Sequence, residues 1–421
     1  MRLFNLTLYG RQNKGTFMEK LIIAGAMAFM LIGCGGSSST SFSLGSTGER
    51  FEQTTETNTK IDILWVVDNS GSMNSSQQNL KDNFSAFITD FVSKGYDFQM
   101  AITTSEAYRG ALLSANCNFV DHDDEDGDSD TTDTISRDCR RFIGGIMDPT
   151  TPDLATYFTD RIVVGTSGSG DERVIQSSKD ALEYLPNAGF LRADSHLAVI
   201  LVSDEEDFSR VSGLGNDRYA THLHALTPES SVGGMNYTPI DGSTDSYETF
   251  FDTLTNTTSD FKNYSVSAIG IFDYDADKID PDNASYDPTY NPDSDPSDYT
   301  VCQQEQKAIF NSTQQPSVRM AELADATNGV KASLCGNFAE GLIDIANNII
   351  QLVTEYPLAS EPIPESIVIT IDEANVPEAD LSDSDPQGWH YNTDKQSISF
   401  FGSHIPPQGS DISIVYTPTS I

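Results

Sequence analysis

Basic residues are scarce in this sequence of 421 residues. Only 24 Lys and Arg residues stand against 63 Asp and Glu residues, which gives a net charge of −39 at pH 7. So large an acidic excess repels the phosphates of DNA and RNA, and we therefore exclude nucleic acid as a partner. It is compatible with cation binding, with a salty extracellular setting, or with an acidic surface that only keeps the protein soluble.

The sequence also lacks the short motifs of common hydrolases and nucleotide-binding enzymes. It contains no H-E-x-x-H zinc motif, no G-x-S-x-G nucleophile elbow and no P-loop. His222 and His224 have no third metal ligand at helical spacing, and we interpret them as surface residues. The sequence therefore predicts a protein that is not an enzyme.

Long apolar runs are scarce as well. One run, residues 21–32, follows the basic Lys20 and is too short to span a bilayer comfortably, but it has the length of the apolar region of a signal peptide. The signal peptide would then start at Met18, upstream of Lys20. We predict that residues 1–33 are a signal peptide.

The end of this segment resembles a bacterial lipobox. The resemblance implies cleavage before Cys34 and acylation of that residue, and Gly35 in the next position points to the outer membrane. A plain secretory signal with an incidental cysteine is the alternative. Residues 34–57 begin with a run rich in Gly and Ser and are predicted to be a flexible tether.

Cysteine is rare, with five residues in the chain. Lipidation of Cys34 would leave four cysteines in an oxidising compartment, where disulfides persist. Four cysteines allow three pairings. We favour Cys117 with Cys139 and Cys302 with Cys335, because each pair encloses one irregular polar segment, and the other two pairings stay open.

Apolar runs of strand length alternate with amphipathic segments between residues 58 and 355. Strands are predicted over 61–67, 96–104, 142–147, 196–204 and 264–272, and helices over 75–93, 152–161, 173–185, 247–258, 318–329 and 338–353. Gly329 is expected to cap the helix over 318–329. This alternation predicts an α/β fold with a doubly wound, mostly parallel sheet covered by helices on both faces.

The pattern changes after residue 356. Short alternating strands without intervening helices are predicted over 366–372, 397–402 and 411–417. They indicate a small all-β domain of sandwich type over 360–421.

The stretch "WVVDNSGSM", residues 65–73, ends the first predicted strand in one carboxylate and two hydroxyls. Ligands of parallel sheets gather at the carboxyl ends of the strands, where the oxygens of Asp68, Ser70 and Ser72 could converge in a turning loop. Such oxygens suit Mg²⁺, Mn²⁺ or Ca²⁺. An ordinary polar turn is the alternative.

This arrangement closely resembles the Asp-x-Ser-x-Ser signature of von Willebrand factor type A domains, with their metal-ion-dependent adhesion site. The resemblance covers residues 58–355 and implies a Rossmann-like fold with a bound divalent cation, Mg²⁺ in the first place and Mn²⁺ or Ca²⁺ as alternatives. It implies an aspartate after a later central strand, for which we choose Asp204. It also implies a hydroxyl from a second loop: residue type favours Thr166, and spacing to the next helix favours Ser169.

The resemblance also implies how the site would work. Ser70, Ser72 and the second-loop hydroxyl would contact the ion, while Asp68 and Asp204 would act partly through water. An open coordination position would accept an acidic side chain of a protein partner. The acidic residues 205–207 are interpreted as a solvated loop.

The whole chain resembles bacterial surface lipoproteins that carry such a domain. We therefore expect a lipid-anchored binding or adhesion protein of the cell envelope, on the outer membrane. Two alternatives remain: a structural envelope lipoprotein in which the metal only stabilises the fold, and an undetected hydrolase.

Residues 122–133, "HDDEDGDSDTTD", form a second acidic motif. Its alternating carboxylates and central glycine resemble a calcium loop, although the register departs from that of an EF-hand. The candidate Ca²⁺ ligands are Asp124, Asp126, Asp128, Asp130 and Asp133. A solvated acidic loop without calcium is an equal alternative.

Overall fold

The structure, a computed structural model, describes residues 41–44, 51–56, 60–94, 96–120, 134–193, 195–209, 247–255, 263–279, 284–287, 289–292, 295–310, 314–383, 386–407 and 409–419. The chain divides into two compact units, Met1–Ser38 and Ser39–Ile421, and the first lies outside the described residues. The predicted signal peptide, Cys34 and the whole acidic motif 122–133, with its five candidate Ca²⁺ ligands, therefore lie outside the described part of the chain. No helix within the described ranges is long and apolar enough to cross a membrane.

The second unit contains strands and helices in alternation, followed by strands. The strands are β1 (Ser41–Leu44), β2 (Phe51–Glu56), β3 (Lys60–Val67), β4 (Asp97–Thr104), β5 (Asn116–Val120), β6 (Thr134–Asp138), β7 (His196–Val202), β8 (Tyr264–Gly270), β9 (Lys331–Ser333), β10 (Tyr356–Pro357), β11 (Val368–Ile371), β12 (Ala374–Val376), β13 (Gly388–Asn392), β14 (Ser397–Phe401) and β15 (Asp411–Tyr416). The helices are α1 (Asn74–Lys94), α2 (Ala107–Leu113), α3 (Leu154–Arg161), α4 (Val174–Leu182), α5 (Tyr247–Leu254), α6 (Ala276–Ile279), α7 (Val301–Phe310), α8 (Val318–Ala326) and α9 (Phe338–Val353).

Five strands form a parallel central sheet in the order β4-β3-β7-β8-β9. This arrangement confirms the predicted α/β class with a mostly parallel sheet. Val67 at the end of β3 pairs with Thr104 of β4 and with Val202 of β7, so these three strands end at the same level. The residues that follow the three strands are Asp68, Ser105 and Ser203, and they therefore lie at the carboxyl end of the sheet.

Helices cover both faces of this sheet, because the side chains of a strand point alternately to opposite sides. Trp65 of β3 packs on one face, with its ring centroid 5.1 Å from that of Phe87 in α1 and 5.4 Å from that of Phe158 in α3. Its neighbours in sequence, Leu64 and Val66, belong to the core on the other face, which also includes residues of α4, α5 and α8. Each such buried apolar side chain contributes roughly 1.5–3 kcal/mol to folding.

One predicted strand is absent, and the glycines within it give the reason. Residues 142–147 form turns, and only Met147 makes an isolated bridge, to Met100 of β4. Gly144 and Gly145 have φ angles of 70° and 73°, in the left-handed region that a strand does not use. The prediction of a strand here was wrong.

The predicted cap at Gly329 is also different in the structure. The left-handed residue after α8 is Asn328, with a φ angle of 57°. Gly329 is needed for space, because a Cβ atom there would lie 1.9 Å from the carbonyl oxygen of Val266 in β8. The glycine therefore lets the helix end pack directly against the sheet.

Both favoured disulfides are present. Cys117 is bonded to Cys139, and Cys302 is bonded to Cys335. The first bond joins the hairpin of β5 and β6, which the sequence did not predict, to the residue after β6. Helices α2 and α7 were not predicted either.

The C-terminal part consists of two antiparallel sheets, in the orders β1-β2-β15-β11-β12 and β10-β14-β13. Its separate core consists of aromatic side chains such as Trp389, Phe400 and Tyr416 and of aliphatic side chains such as Ile398. The small all-β region is thus confirmed. Strands β1 and β2 lie within the segment 34–57 that the sequence predicts as a tether, and β2 pairs with β15 from Asp411 to Tyr416.

Candidate metal site

Four loops meet at the carboxyl edge of the central sheet. The first loop follows β3 (68–73), the second precedes α4 (165–173), the third follows β7 (203–209), and a short fourth loop follows β4 (105–106). Because parallel strands all end at this edge, polar side chains that are distant in sequence come together there.

Asp68 is the buried centre of the first loop. Its backbone N–H donates to the carbonyl oxygen of Val202 at 2.9 Å, which continues the pairing of β3 with β7. Its Oδ1 accepts a 2.7 Å hydrogen bond from the backbone N–H of Ser70, and its Oδ2 accepts a 2.7 Å bond from Ser203 Oγ. The carboxylate is thereby held in one orientation between two strand ends.

The hydroxyls of the first loop connect it to Asp204. Ser70 Oγ lies 3.2 Å from Ser72 Oγ, and Ser72 Oγ donates to Asp204 Oδ1 at 3.1 Å. Asp204 is fully buried, and its Oδ2 has no hydrogen-bond partner among the described residues. A buried carboxylate oxygen without a donor is costly, and a cation is one group that would offset this cost.

The second loop is held against the first, but its Ser169 hydroxyl bonds within its own loop. Gly168 N–H donates to the carbonyl of Asn69 at 2.8 Å. Ser169 Oγ accepts from the backbone N–H of Asp171 at 3.2 Å, within its own loop. Within the described ranges, no hydrogen bond joins the side chain of Thr166 or Ser169 to the residues of the first loop.

Glu106 was missed by the sequence analysis. It is buried and accepts hydrogen bonds from Asn69 Nδ2 at 3.2 Å and from the Ser169 N–H at 3.1 Å, and it pairs with Arg109. It therefore ties the first and second loops to the end of β4. A single glutamate after a strand carries no sequence signal for this role, which only the folded contacts reveal.

Glu172 was missed as well. Its side chain is 1% exposed, and its backbone carbonyl accepts a 2.9 Å hydrogen bond from Phe208 N–H in the loop after β7. Neither carboxyl oxygen receives a hydrogen bond from a donor group of the described residues. The group that Glu172 meets is another carboxyl, that of Glu205.

The crowding of acids shifts their pKa values upward. Burial raises the pKa of Asp68 to about 6, and burial together with the charge of Asp68 raises the pKa of Glu205 to about 7. Burial, reinforced by the charges of Asp68, Glu205 and Asp204, raises the pKa of Glu172 to about 11. The pKa of Asp204 is well above its usual value for the same reasons, burial first. Without a cation, these carboxyl groups therefore keep their protons at higher pH than free carboxyl groups do.

Glu206 and Asp207 of the third loop are buried, which corrects the interpretation of residues 205–207 as a solvated loop. Glu206 accepts from the N–H groups of Val318 at 3.0 Å and Arg319 at 3.1 Å at the start of α8. Asp207 accepts from Ile175 N–H at 3.0 Å in the first turn of α4. Carboxylates at helix N-termini are favourable, and they hold the loop of Asp204 in place.

These residues fit a hard divalent cation. Among the described residues, no three Asp, Glu, His or Cys side chains form a ready-made metal cluster. Hydroxyls and water would therefore have to complete the coordination shell. The unpartnered Asp204 Oδ2 and the hydroxyls of Ser70 and Ser72 supply oxygen ligands of the required kind.

No protein-family model and no curated protein matches this sequence. Solved structures that are similar include the pilus adhesin SpaC from Lactobacillus rhamnosus GG in its open conformation, with a TM-score of 0.34, 12% identity, and coverage of 90% of this chain and 42% of that one. Proximal thread matrix protein 1 from the mussel byssus, with a zinc-occupied MIDAS motif, has a TM-score of 0.32 and 13% identity over 73% of this chain and 51% of that one. The ArnB paralog VWA2 from Sulfolobus acidocaldarius has a TM-score of 0.25 and 11% identity over 91% and 66% of the two chains.

The structural neighbours are thus von Willebrand factor type A proteins. This chain spans about half the length, or less, of the adhesin and of the thread matrix protein. At these TM-scores and identities the similarity carries no argument about function, which depends on the residues of the site.

Proposed function

We propose that this chain is a lipid-anchored binding protein of the bacterial cell envelope. A divalent cation at Asp68, Ser70, Ser72 and Asp204 would hold an acidic side chain of a protein partner. The observation that carries the proposal is the bond between Ser72 and the buried Asp204, 132 residues apart, beside an Asp204 oxygen that has no partner among the described residues.

The ligand set explains why the partner should be acidic. Ser70 and Ser72 are neutral ligands, and Asp68 already accepts hydrogen bonds through both oxygens, so we propose that it acts on the ion partly through water. The cation would keep an open position that an incoming carboxylate fills with both an oxygen and a charge. Mg²⁺ is our first choice, with Mn²⁺ or Ca²⁺ as alternatives.

The net charge of −39 opposes an acidic partner at long range. Salt reduces this repulsion, because the Debye length is roughly 8 Å at 0.15 M and 3 Å at 1 M ionic strength. Binding of the partner should therefore strengthen as salt rises from low concentrations, provided that the cation is present.

The remaining parts of the proposal rest on the sequence alone. We propose lipidation at Cys34, a location on the outer membrane, and a role in binding without catalysis. The acidic motif 122–133 stays a candidate Ca²⁺ site.

The test is titration calorimetry with Mg²⁺, Mn²⁺ and Ca²⁺ on the wild type and on Asp68→Ala. We expect the wild type to bind one of these ions and Asp68→Ala to lose at least about tenfold in affinity, the effect usual for groups that support a metal site. A variant lacking residues 122–133 is the control for the acidic motif. Equal affinities of the wild type and Asp68→Ala would exclude this site.

A further inference from the structure

Glu172 is the most unusual buried group in the described part of the chain. It is 1% exposed, both of its oxygens lack a donor partner there, and its neighbours are carboxyl groups. A buried glutamate normally pairs with a base or with several N–H groups, as Glu106 and Glu206 do in the same region. The Glu172 carboxyl instead meets that of Glu205, and two carboxyl groups in contact must share a proton or a cation.

The position of Glu172 indicates which of the two is shared. Its backbone is hydrogen-bonded to Phe208 in the loop that contains Asp204, and the charges of Asp68, Glu205 and Asp204 act on its carboxyl group. The adjacent basic residue does not neutralise it, because Arg173 binds Asp171 through two hydrogen bonds of 3.0 Å. A group of positive charge at this end of the sheet would offset the charge of Glu172 and give Asp204 Oδ2 a partner.

We propose that Glu172 supplies the ligand of the second loop to the divalent cation, in place of Thr166 or Ser169. The inference rests on the proposed cation site and changes its chemistry. A carboxylate adds a full negative charge where a hydroxyl would add none, so the cation is held more tightly by the protein itself. The Ser169 hydroxyl remains in its local bond with Asp171.

The experiment compares full-length protein in mild detergent with Glu172→Gln, which keeps the shape and removes the charge. Titration with Mg²⁺ and with Ca²⁺ should show at least about a tenfold loss of affinity for Glu172→Gln. Thr166→Ala and Ser169→Ala are the matched alternatives, and each should change the affinity less than about twofold. A tenfold loss in either alanine variant, or none in Glu172→Gln, overturns the inference.

Thermal unfolding supplies a second measurement that a purely structural role of Glu172 would not reproduce. The reference for each protein is its unfolding temperature in EDTA, where no cation is bound. The rise in unfolding temperature on adding cation should be smaller in the variant. Equal rises in both proteins would contradict a ligand role.

The outcomes also separate this inference from the proposed function. If the wild type binds no divalent cation, both fail together. If the wild type binds and Asp68→Ala loses affinity while Glu172→Gln does not, only the role of Glu172 fails. If Glu172→Gln does not fold, the affinities of Thr166→Ala and Ser169→Ala still decide, because a hydroxyl ligand predicts a loss in one of them.

Discussion

At the scale of single residues, the candidate site combines groups that the sequence marks with groups that it does not. Asp68, Ser70 and Ser72 follow one strand in a recognisable spacing, and Asp204 follows another strand in the same way. Glu172 lies in a polar loop with no strand before it, and its role depends on how that loop folds back. The resemblance pointed to a hydroxyl in this loop, whereas burial points to the carboxylate of Glu172.

The raised pKa values predict how pH controls cation binding. In the cation-free protein, Asp68 and Glu205 have pKa values of about 6 and 7, above the values near 4 of an unfolded chain. The folded state therefore binds more protons than the unfolded state between about pH 4 and pH 7, and these groups lower its stability as pH rises through that range. The cation competes with those protons, so its stabilising effect should grow with pH.

The measurement is the difference in unfolding temperature between Mg²⁺ and EDTA at several pH values. Taking this difference removes the opposite effect of His196. Burial lowers the pKa of His196 to about 4, so protonation of its side chain destabilises the fold in acid. Asp204→Asn should reduce the difference at every pH. A difference that does not change between pH 4 and pH 7 would show that these carboxylates do not compete with protons for the ion.

At the scale of elements, close packing explains features that periodicity does not reveal. Helix α9 was predicted at its observed bounds, Phe338–Val353, because its apolar face repeats at helical spacing. The end of α8 was predicted less well, since the role of Gly329 depends on the carbonyl of Val266 in a neighbouring strand. No local pattern contains that contact.

We therefore expect Gly329→Ala to destabilise the protein by about 1–3 kcal/mol, the usual effect of forcing extra volume into a packed site. The measurement is the free energy of unfolding in urea. Gly170→Ala is the matched control, because its Cβ would only come within 3.8 Å of Glu172 Oε1, an ordinary contact. Equal stability of the two variants would show that the end of α8 can move away from β8 at little cost.

At the scale of the whole molecule, the central α/β part lies between two segments that pair with each other. Strand β2 precedes β3, and β15 lies near the end of the chain, yet six residues of each form one antiparallel ladder. The N-terminal segment 51–56 therefore contributes to the C-terminal sheet, and the path from the proposed lipid anchor to the cation site passes through that sheet.

This pairing predicts the effect of truncation. Removing residues 39–56 should lower the unfolding temperature of the C-terminal sheet by several degrees, because β15 loses the backbone partners on one of its two sides and keeps only β11 on the other. The tryptophan fluorescence of Trp389, measured in a Trp65→Phe background, would follow this transition. Removing only residues 35–38 is the control. If the two deletions unfold alike, the pairing of β2 with β15 contributes little stability.

The sequence by itself determined the alternation of helices and strands and the first half of the candidate site, and it favoured the two disulfides that the structure contains. These features depend on local spacing, on apolar periodicity and on a few cysteines, all of which can be read along the chain. Tertiary structure alone decided the position of Glu172, the bridging role of Glu106 and the pairing of β2 with β15. Each of these depends on which buried groups lack a partner and which distant backbones meet, and those properties arise only when the chain is folded.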